Sequence, residues 1–310
     1  PELVSSETAQ RIQKAIDTLS YRLNASARTL KTGKYYRVGI LCSGSGPFFW
    51  EVITYIQYRL SRAGYFTSVF YTWEIRSSEQ KVIPLIHSRQ TDGIIFFPSM
   101  LDEDTQLVTH FSESNEKLVV IGRHFTNEKV HEVLIDNYGA GRKAAQAFLS
   151  RGHRDFLFVH GHHLSDDTWQ RFQGFSDELK EAGVALPEER QIRGEYDIKI
   201  TYEETLRLMD TLPHFTAVFG ANDVSSIGFI RAAHEKGKKC PRDYSIIGFD
   251  DFIETIPYGI PALSSFTQPL KEIGEKAAEI LISLINGTDV PHKNVLLSSQ
   301  LQVRESLASL

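Results

Sequence analysis

From Tyr36 onward the chain alternates short, nearly unbroken apolar runs with amphipathic stretches, and this alternation constrains the fold more than any other feature. Arg37 to Cys42, Ser68 to Tyr71, Gly93 to Phe97, Leu118 to Ile121 and Val133 to Ile135 read as strands. Helical periodicity covers Phe48 to Ala63, a stretch near Glu79 to His87, and Gly139 to Arg151. A second series comes after it, with strands at Phe156 to Val159, Ala217 to Gly220 and Ser245 to Phe249 and a shorter extended segment near Gln191. Its helices cover Trp169 to Ala182, Tyr202 to Met209 and Val224 to Lys236. Continuously apolar strands are buried on both faces, the condition of a parallel sheet covered by helices on either side. Each series has the length of one doubly wound domain. A late helix carries Leu270, Ile273, Ala277, Ile280, Leu281, Leu284 and Ile285 on one stripe and stops at Asn286-Gly287. The expected fold class is therefore α/β, with two doubly wound parallel-sheet lobes.

The first part of the chain differs. Ser5 is placed to cap a helix with apolar residues at Ala9, Ile12, Ala15, Ile16 and Leu19. Asn24 is placed to cap a second, very short helix over Ala25 to Leu30, ended by Thr32-Gly33. A helix that short does not persist alone in water, so it orders only with outside support. Arg22, Arg28, Lys31 and Lys34 stand in this stretch without an acid among them, although the whole chain carries a net charge of −5. By itself such a stretch reads as a solvated linker. The chain opens on Pro1, in what looks like the middle of a small helical module, and a truncated or processed form is the expectation.

Several classes find no support. No apolar run approaches the roughly 18 residues of a membrane span. Cys42 and Cys240 lie far apart and show no metal-ligand spacing, which points to a reducing cytosol. Gly44-Ser-Gly46 sits where a dinucleotide fingerprint would, but its third glycine is replaced by the bulky Phe49. His160, His162 and His163, with Asp166 and Asp167, fit no compact ligand pair on a loop, and no metal is expected. No nucleophile elbow, P-loop or zinc-protease motif occurs, so neither an enzyme nor a cofactor is expected. Phe48 and Phe49, at a strand's carboxyl end, suit core packing and ligand stacking equally.

Taken in order, a set of strings resembles the LacI/GalR family of bacterial transcription regulators. They are Val4 to Thr8, Ala15 to Tyr21, Asn24 to Leu30, Arg37 to Ile40, Gly46-Pro-Phe-Phe49, Val133 to Asn137, Arg151-Gly-His153, Arg171 to Phe175, Ala221-Asn-Asp223, Cys240 to Asp251 and Gln268-Pro269. The resemblance implies two lobes of periplasmic-binding-protein type joined by three crossovers. It places residues 1–34 as a remnant of the DNA-binding head plus a hinge helix. It assigns 35–150 and 268–297 to the first lobe, and 151–267 and 298–310 to the second. It further implies a homodimeric cytoplasmic repressor, nucleoid-associated when on its operator DNA and controlled by a small-molecule effector, most readily a sugar. A periplasmic-type sugar-binding protein with no DNA role is the alternative, and Val4 to Leu30 argue against it.

Residue by residue, the family's effector contacts fall on Phe48, Phe49, Asp136, Asp167, Arg171, Phe219, Asn222 and Asp250. Arg171 would grip two ligand oxygens with its planar fork, while Asp250 accepts from hydroxyls and Asn222 both donates and accepts. Asp136, Asp223 and Asp251 also suit capping, and the last two are assigned mainly to structure. DNA contacts fall on Asn24, Arg28, Leu30 and Lys31, with Leu30 as the minor-groove wedge and the cations on phosphates. Leu23 replaces the usual proline before Asn24, and Gly46 the usual asparagine. Aromatic faces with Arg, Asn and Asp favour a neutral polyhydroxylated ligand, while Arg171 and the loop histidines leave an acidic or phosphorylated sugar open.

Overall fold

The computed structural model describes residues 5–19, 29, 31–71, 91–99, 102–127, 129–252, 261–290 and 294–310. Asn24, Arg28, Leu30 and the helix expected near Glu79 to His87 lie outside them. Strands are β1 (Arg37–Cys42), β2 (Phe66–Tyr71), β3 (Gly93–Phe97), β4 (Leu118–Ile121), β5 (His131–Ile135) and β6 (Phe156–Val159). They continue as β7 (Gln191–Ile192), β8 (Ala217–Gly220), β9 (Ser245–Asp250), β10 (Ser264–Thr267), β11 (Asn294–Leu297) and β12 (Gln300–Gln302). Helices are α1 (Ser6–Thr18), α2 (Pro47–Arg62), α3 (Asp102–Glu113), α4 (Asn137–Leu149), α5 (Asp166–Glu181), α6 (Ile198–Leu208), α7 (Asp223–Glu235) and α8 (Leu270–Asn286).

Two six-stranded sheets form, in the orders β11-β5-β4-β3-β1-β2 and β12-β10-β9-β8-β6-β7. Among the described residues every pairing is parallel except that of β10 with β12. Successive side chains face opposite sides and both sides are covered, so β3, β6 and β8 lack polar positions and β1 carries one at its exposed start, Arg37. Val38, Ile40, Ile95 and Phe97 face the core under α2 and α8, while Leu41, Ile94 and Phe96 face Val108 and Phe111 of α3. The second sheet repeats the arrangement, with α4 and α5 on one face and α7 on the other.

The lobe boundary needs correction. Helix α4 buries Ala140, Ala144, Ala145 and Phe148 in the second core and packs along α5, so the first crossing falls at Asp136 and not near residue 150. The chain returns to the first lobe at Gln268 and leaves it again at Ser298 and Ser299. Gly141 and Gly174 set the α4–α5 contact. A side-chain carbon on Gly141 would stand 2.8 Å from the Phe175 amide nitrogen, and one on Gly174 2.9 Å from the Tyr138 carbonyl carbon.

Capping moves several helix starts. Helix α5 begins three residues before the expected Trp169, which puts Asp166 and Asp167 in its first turn, where the helix dipole favours anions. Asp197 caps α6 by accepting from Ile200 N, so that helix starts earlier than Tyr202. Helix α3, whose buried residues Leu107, Val108 and Phe111 stand among polar ones, the buried Asp104 and Ser112 included, is absent from the sequence reading.

At the start of the described chain, Ser5 accepts from Thr8 N and caps α1, none of whose residues is buried. Thr29, Lys31 and Thr32 are helical, and Gly33, at φ 67°, donates back to the Thr29 carbonyl. The next three residues are fastened to the first lobe. Lys34 Nζ donates to Asn286 Oδ1 at 2.8 Å, and the amides of Tyr35 and Tyr36 donate to the Asp92 carboxylate at 2.8 and 2.5 Å.

Candidate functional site

At the carboxyl ends of β6, β8 and β9, where open α/β sheets bind ligands, the second lobe gathers a polar cluster around Arg171. Arg171 is only 4% exposed, which a guanidinium tolerates when its donors are satisfied. Nε donates to Asn137 Oδ1 at 2.8 Å, and Nη1 donates to the Ala221 carbonyl at 2.5 Å. The guanidinium carbon stands 3.5 Å from the centre of the Phe249 ring, a cation–π contact that also fixes the fork's plane. Asn137 Nδ2 donates in turn to Asp167 Oδ1 at 2.8 Å. The residue straight after the first crossover therefore links the arginine to an acid one helical turn before it.

A second carboxylate closes the cluster. Asp250 ends β9 at φ 105°, a backbone region costing a non-glycine residue of order 1–3 kcal/mol and held only where the surroundings impose it. Its Oδ1 accepts from Gln268 Nε2 at 2.7 Å, and the Asn222 side chain also hydrogen-bonds to it. Asn222 meanwhile caps α7, accepting from Ser225 N at 2.9 Å. Tyr196, at φ 56°, lays its ring over Gly161, where a side-chain carbon would lie 2.7 Å from ring Cδ1. Its hydroxyl is 3.1 Å from Ser165 Oγ.

Asp167 and Asp250 are each half-buried. Burial pushes the Asp250 carboxyl up to about 6, against the opposing pull of Arg171. Burial also raises Asp167, again opposed by Arg171, and lifts the Tyr196 hydroxyl to about 12. One cation thus faces two carboxylates, with amides and a neutral phenol filling the gaps. Such a wall offers hydrogen-bond acceptors in excess and has little to hold an anion.

On the first lobe Phe48 and Phe49 open α2, half-buried, their rings edge to face at 5.3 Å. Phe49 also meets Phe97 at 5.8 Å and fills the space over Gly44, where a side-chain carbon would lie 2.7 Å from ring Cε2. The Gly44-Ser-Gly46 stretch therefore seats an aromatic ring and turns the chain into α2, with Gly46 at φ 133°.

One assignment changes. Phe219 is fully enclosed among Phe158, Phe175 and Phe266, with ring centres 5.5, 5.2 and 6.4 Å away, and does not line the cleft. Asp136 caps α4, accepting from Gly139 N at 2.8 Å. Asp223 and Asp251 hold the segment after β9. Asp223 accepts from Ser265 Oγ and Phe252 N, and Asp251 pairs with Arg304 at 2.7 Å. Asn137, Tyr196, Phe249 and Gln268 are the site residues that the sequence reading missed. Asp250 and Gln268 also line a cavity of about 690 Å3 at the crossovers, together with Glu51, Tyr55, Lys271 and Lys276.

The histidines divide. His160 is boxed in by Phe158, Trp169 and Phe172, bonded to Gln191 Oε1 at 2.9 Å, and held neutral by burial, which lowers its pKa. Lys31 is exposed beside Thr29. No helix among the described residues is long and apolar enough to cross a membrane.

Comparison with known proteins places this architecture. Residues 145–307 match the model of the periplasmic binding protein-like domain. The "Probable HTH-type transcriptional repressor ExuR" of Bacillus subtilis is 27% identical over 99% of this chain and 91% of its own length. The ribose operon repressor of Haemophilus influenzae is 28% identical over 99% of this chain and 91% of its own. A LacI-family regulatory protein from Chloroflexus aggregans superposes with a TM-score of 0.79 at 26% identity, covering 87% of this chain and 98% of that one. The chain belongs to the periplasmic binding protein-like domain family, as the effector-binding body of a LacI/GalR-type regulator.

Proposed function

We propose that this chain is a transcriptional repressor whose operator affinity is set by a neutral, polyhydroxylated small molecule bound between its lobes. The observation that carries the reading is the held guanidinium of Arg171 beside Asp167 and Asp250. Vicinal hydroxyls of a sugar can donate to the two carboxylates and accept from the arginine fork, while Phe48 covers an apolar sugar face. A uronic acid or sugar phosphate would add negative charge to a wall that already holds two carboxylates against one cation. The repressor of the ribose operon in Haemophilus influenzae, alike over most of its length, supports a sugar effector by its name.

Closure of the lobes on such a ligand changes the first lobe's position in a homodimer. The bonds of Lys34 to Asn286, and of Tyr35 and Tyr36 to Asp92, carry that movement into the segment at residues 29–33. A short helix there, stable only when supported, converts a small displacement into folding or unfolding on operator DNA. Asn24, Arg28, Leu30 and Lys31 would make the minor-groove and phosphate contacts, in a cytoplasmic protein. Coupling of about 1–3 kcal/mol would change operator affinity about 5–150-fold.

A thermal-shift and calorimetric screen against neutral mono- and disaccharides, uronic acids, sugar phosphates and purines tests this directly, because a ligand of the folded form raises its melting temperature. A neutral sugar should bind, and Arg171→Lys, which keeps the charge but not the fork, should weaken it at least about tenfold. Tighter binding of an anionic sugar than of its neutral counterpart would overturn the reading.

A further inference from the structure

Outside the cleft, one cluster has no part in the function above. His162 and His163 lie on the turn between β6 and α5, and Glu195 on the segment between β7 and α6. One nitrogen of each ring and a Glu195 oxygen come within 4.8 Å of one another. Arg193 Nε donates to Glu195 Oε1 at 2.7 Å and fixes the carboxylate, whose Oε2 is 3.4 Å from His163 Nδ1 and 3.7 Å from His162 Nε2. In a tetrahedral site with bonds of about 2.0–2.2 Å, ligand atoms stand about 3.3–3.6 Å apart, so these two edges need closing by no more than a few tenths of an ångström.

The two imidazoles stack at 4.6 Å with 23° between their planes, and because an ion binds in the plane of an imidazole, one of the exposed rings turns to share it. The Glu195 side chain is 7% exposed while the histidines are 47% and 63% exposed, leaving a fourth position open to water. Glu195 and Tyr196 both stand at φ 56°, a disfavoured region that fixes the acid's direction. A second adjustment is required. Leu164 N donates to His162 Nδ1 at 3.2 Å, and binding through Nε2 places the ring proton on Nδ1, so that long bond is given up. Micromolar affinity is therefore expected, not that of a dedicated structural zinc site.

We propose that His162, His163 and Glu195 bind a divalent transition-metal ion of the zinc, cobalt or nickel type. The donor set, two imidazoles and a carboxylate with an open position, suits these ions over calcium or magnesium. The ion would staple the turn at 161–165 to the segment at 193–197, the two strips that carry Ser165 and Tyr196. Metal occupancy would then stiffen one rim of the cleft, and it does so whatever ligand the cleft takes.

The test uses the full chain without a histidine tag. Cobalt chloride is titrated while visible absorption is followed, and melting temperature is measured with zinc chloride. Wild type should bind one equivalent in the micromolar range, with a rise in melting temperature. Glu195→Gln, which keeps the Arg193 bond, and the double variant His162→Ala/His163→Ala should each lose at least about tenfold in affinity. His124→Ala, at a separate histidine–glutamate pair, should leave binding unchanged. Absence of stoichiometric binding by wild type, or equal affinity in Glu195→Gln, overturns the proposal. If the double variant does not fold, Glu195→Gln alone decides between these outcomes.

Discussion

Replacing Gly174 with alanine sets two effects of opposite sign against each other. Helix propensity alone favours the alanine by about 1 kcal/mol, because glycine loses more backbone freedom in a helix. Packing opposes it. The new methyl would lie 2.9 Å from the Tyr138 carbonyl carbon and 3.2 Å from Arg142 N, and it would overlap the carbonyl oxygen between them. These are backbone atoms of α4, so no rotamer relieves the clash. Non-bonded carbon atoms settle about 3.5–4.0 Å apart, which requires α4 and α5 to part by roughly 1 Å. Overpacking of this kind costs about 1–3 kcal/mol, occasionally more, and here it also loosens the Ala140, Ala144 and Phe175 contacts. The net expectation is a loss of up to about 2 kcal/mol in urea denaturation, after subtracting the propensity gain from the packing cost. Because Arg171 stands one turn before Gly174, the same displacement misaligns its bonds to Asn137 and Ala221, and calorimetry should show weaker effector binding. A variant as stable as wild type, with unchanged binding, would refute the glycine-mediated packing of these helices.

Two further expectations concern charge and transmission. Asp250, pushed up to about 6, holds its proton in the folded state over a range where the unfolded chain has lost it. Its contribution to stability is therefore full below the ordinary value of 3.8 and is lost as pH rises through about 6. Effector affinity runs the other way. A carboxylate that accepts from hydroxyls weakens as pH falls through about 6, and Asp250→Asn should flatten that dependence in calorimetric titrations. Asp92→Ala removes the acceptor of the Tyr35 and Tyr36 amides, far from the cleft. Effector binding should persist in that variant while the effector's influence on operator binding shrinks, and an unchanged gel-shift response would count against transmission through this anchor.

The central strands were legible because burial on both faces leaves no polar position to confuse the reading, as in Gly93 to Phe97. Helix α3 was not, because its buried apolar residues Leu107, Val108 and Phe111 are outnumbered by polar ones, two of which, Asp104 and Ser112, are buried too. The first lobe crossing was misplaced because the chain passes from β5 to α4 at Asp136 with no loop to mark it. Arg171, Asp250 and Asn222 could be located through strings shared with a family, and their mutual arrangement could not. Phe219 shows why: along β8 successive side chains face opposite sides, Val218 toward one core and Phe219 toward the other, and neither faces the cleft. Tyr196 stands alone on a loop, placed by its own left-handed backbone and by the space over Gly161, and no sequence period marks either.

The threefold crossing between lobes has a consequence for synthesis. Strand β11, which completes the first sheet beside β5, comes after β6 to β10 of the second sheet, and β12, which completes that second sheet beside β10, comes after β11. A nascent chain that has emerged as far as α8 therefore carries two sheets, each with an unpaired edge. Neither lobe can mature ahead of the other, as separate domains do when they leave the ribosome in turn. The pairing that finishes the first sheet, Asn294 beside Glu132, is the most distant in sequence among the described strands, the kind that slows folding. The final residues thus act as a common latch, and a chain stopped short of residue 294 would expose β5 and β10 as open edges for pairing with other chains.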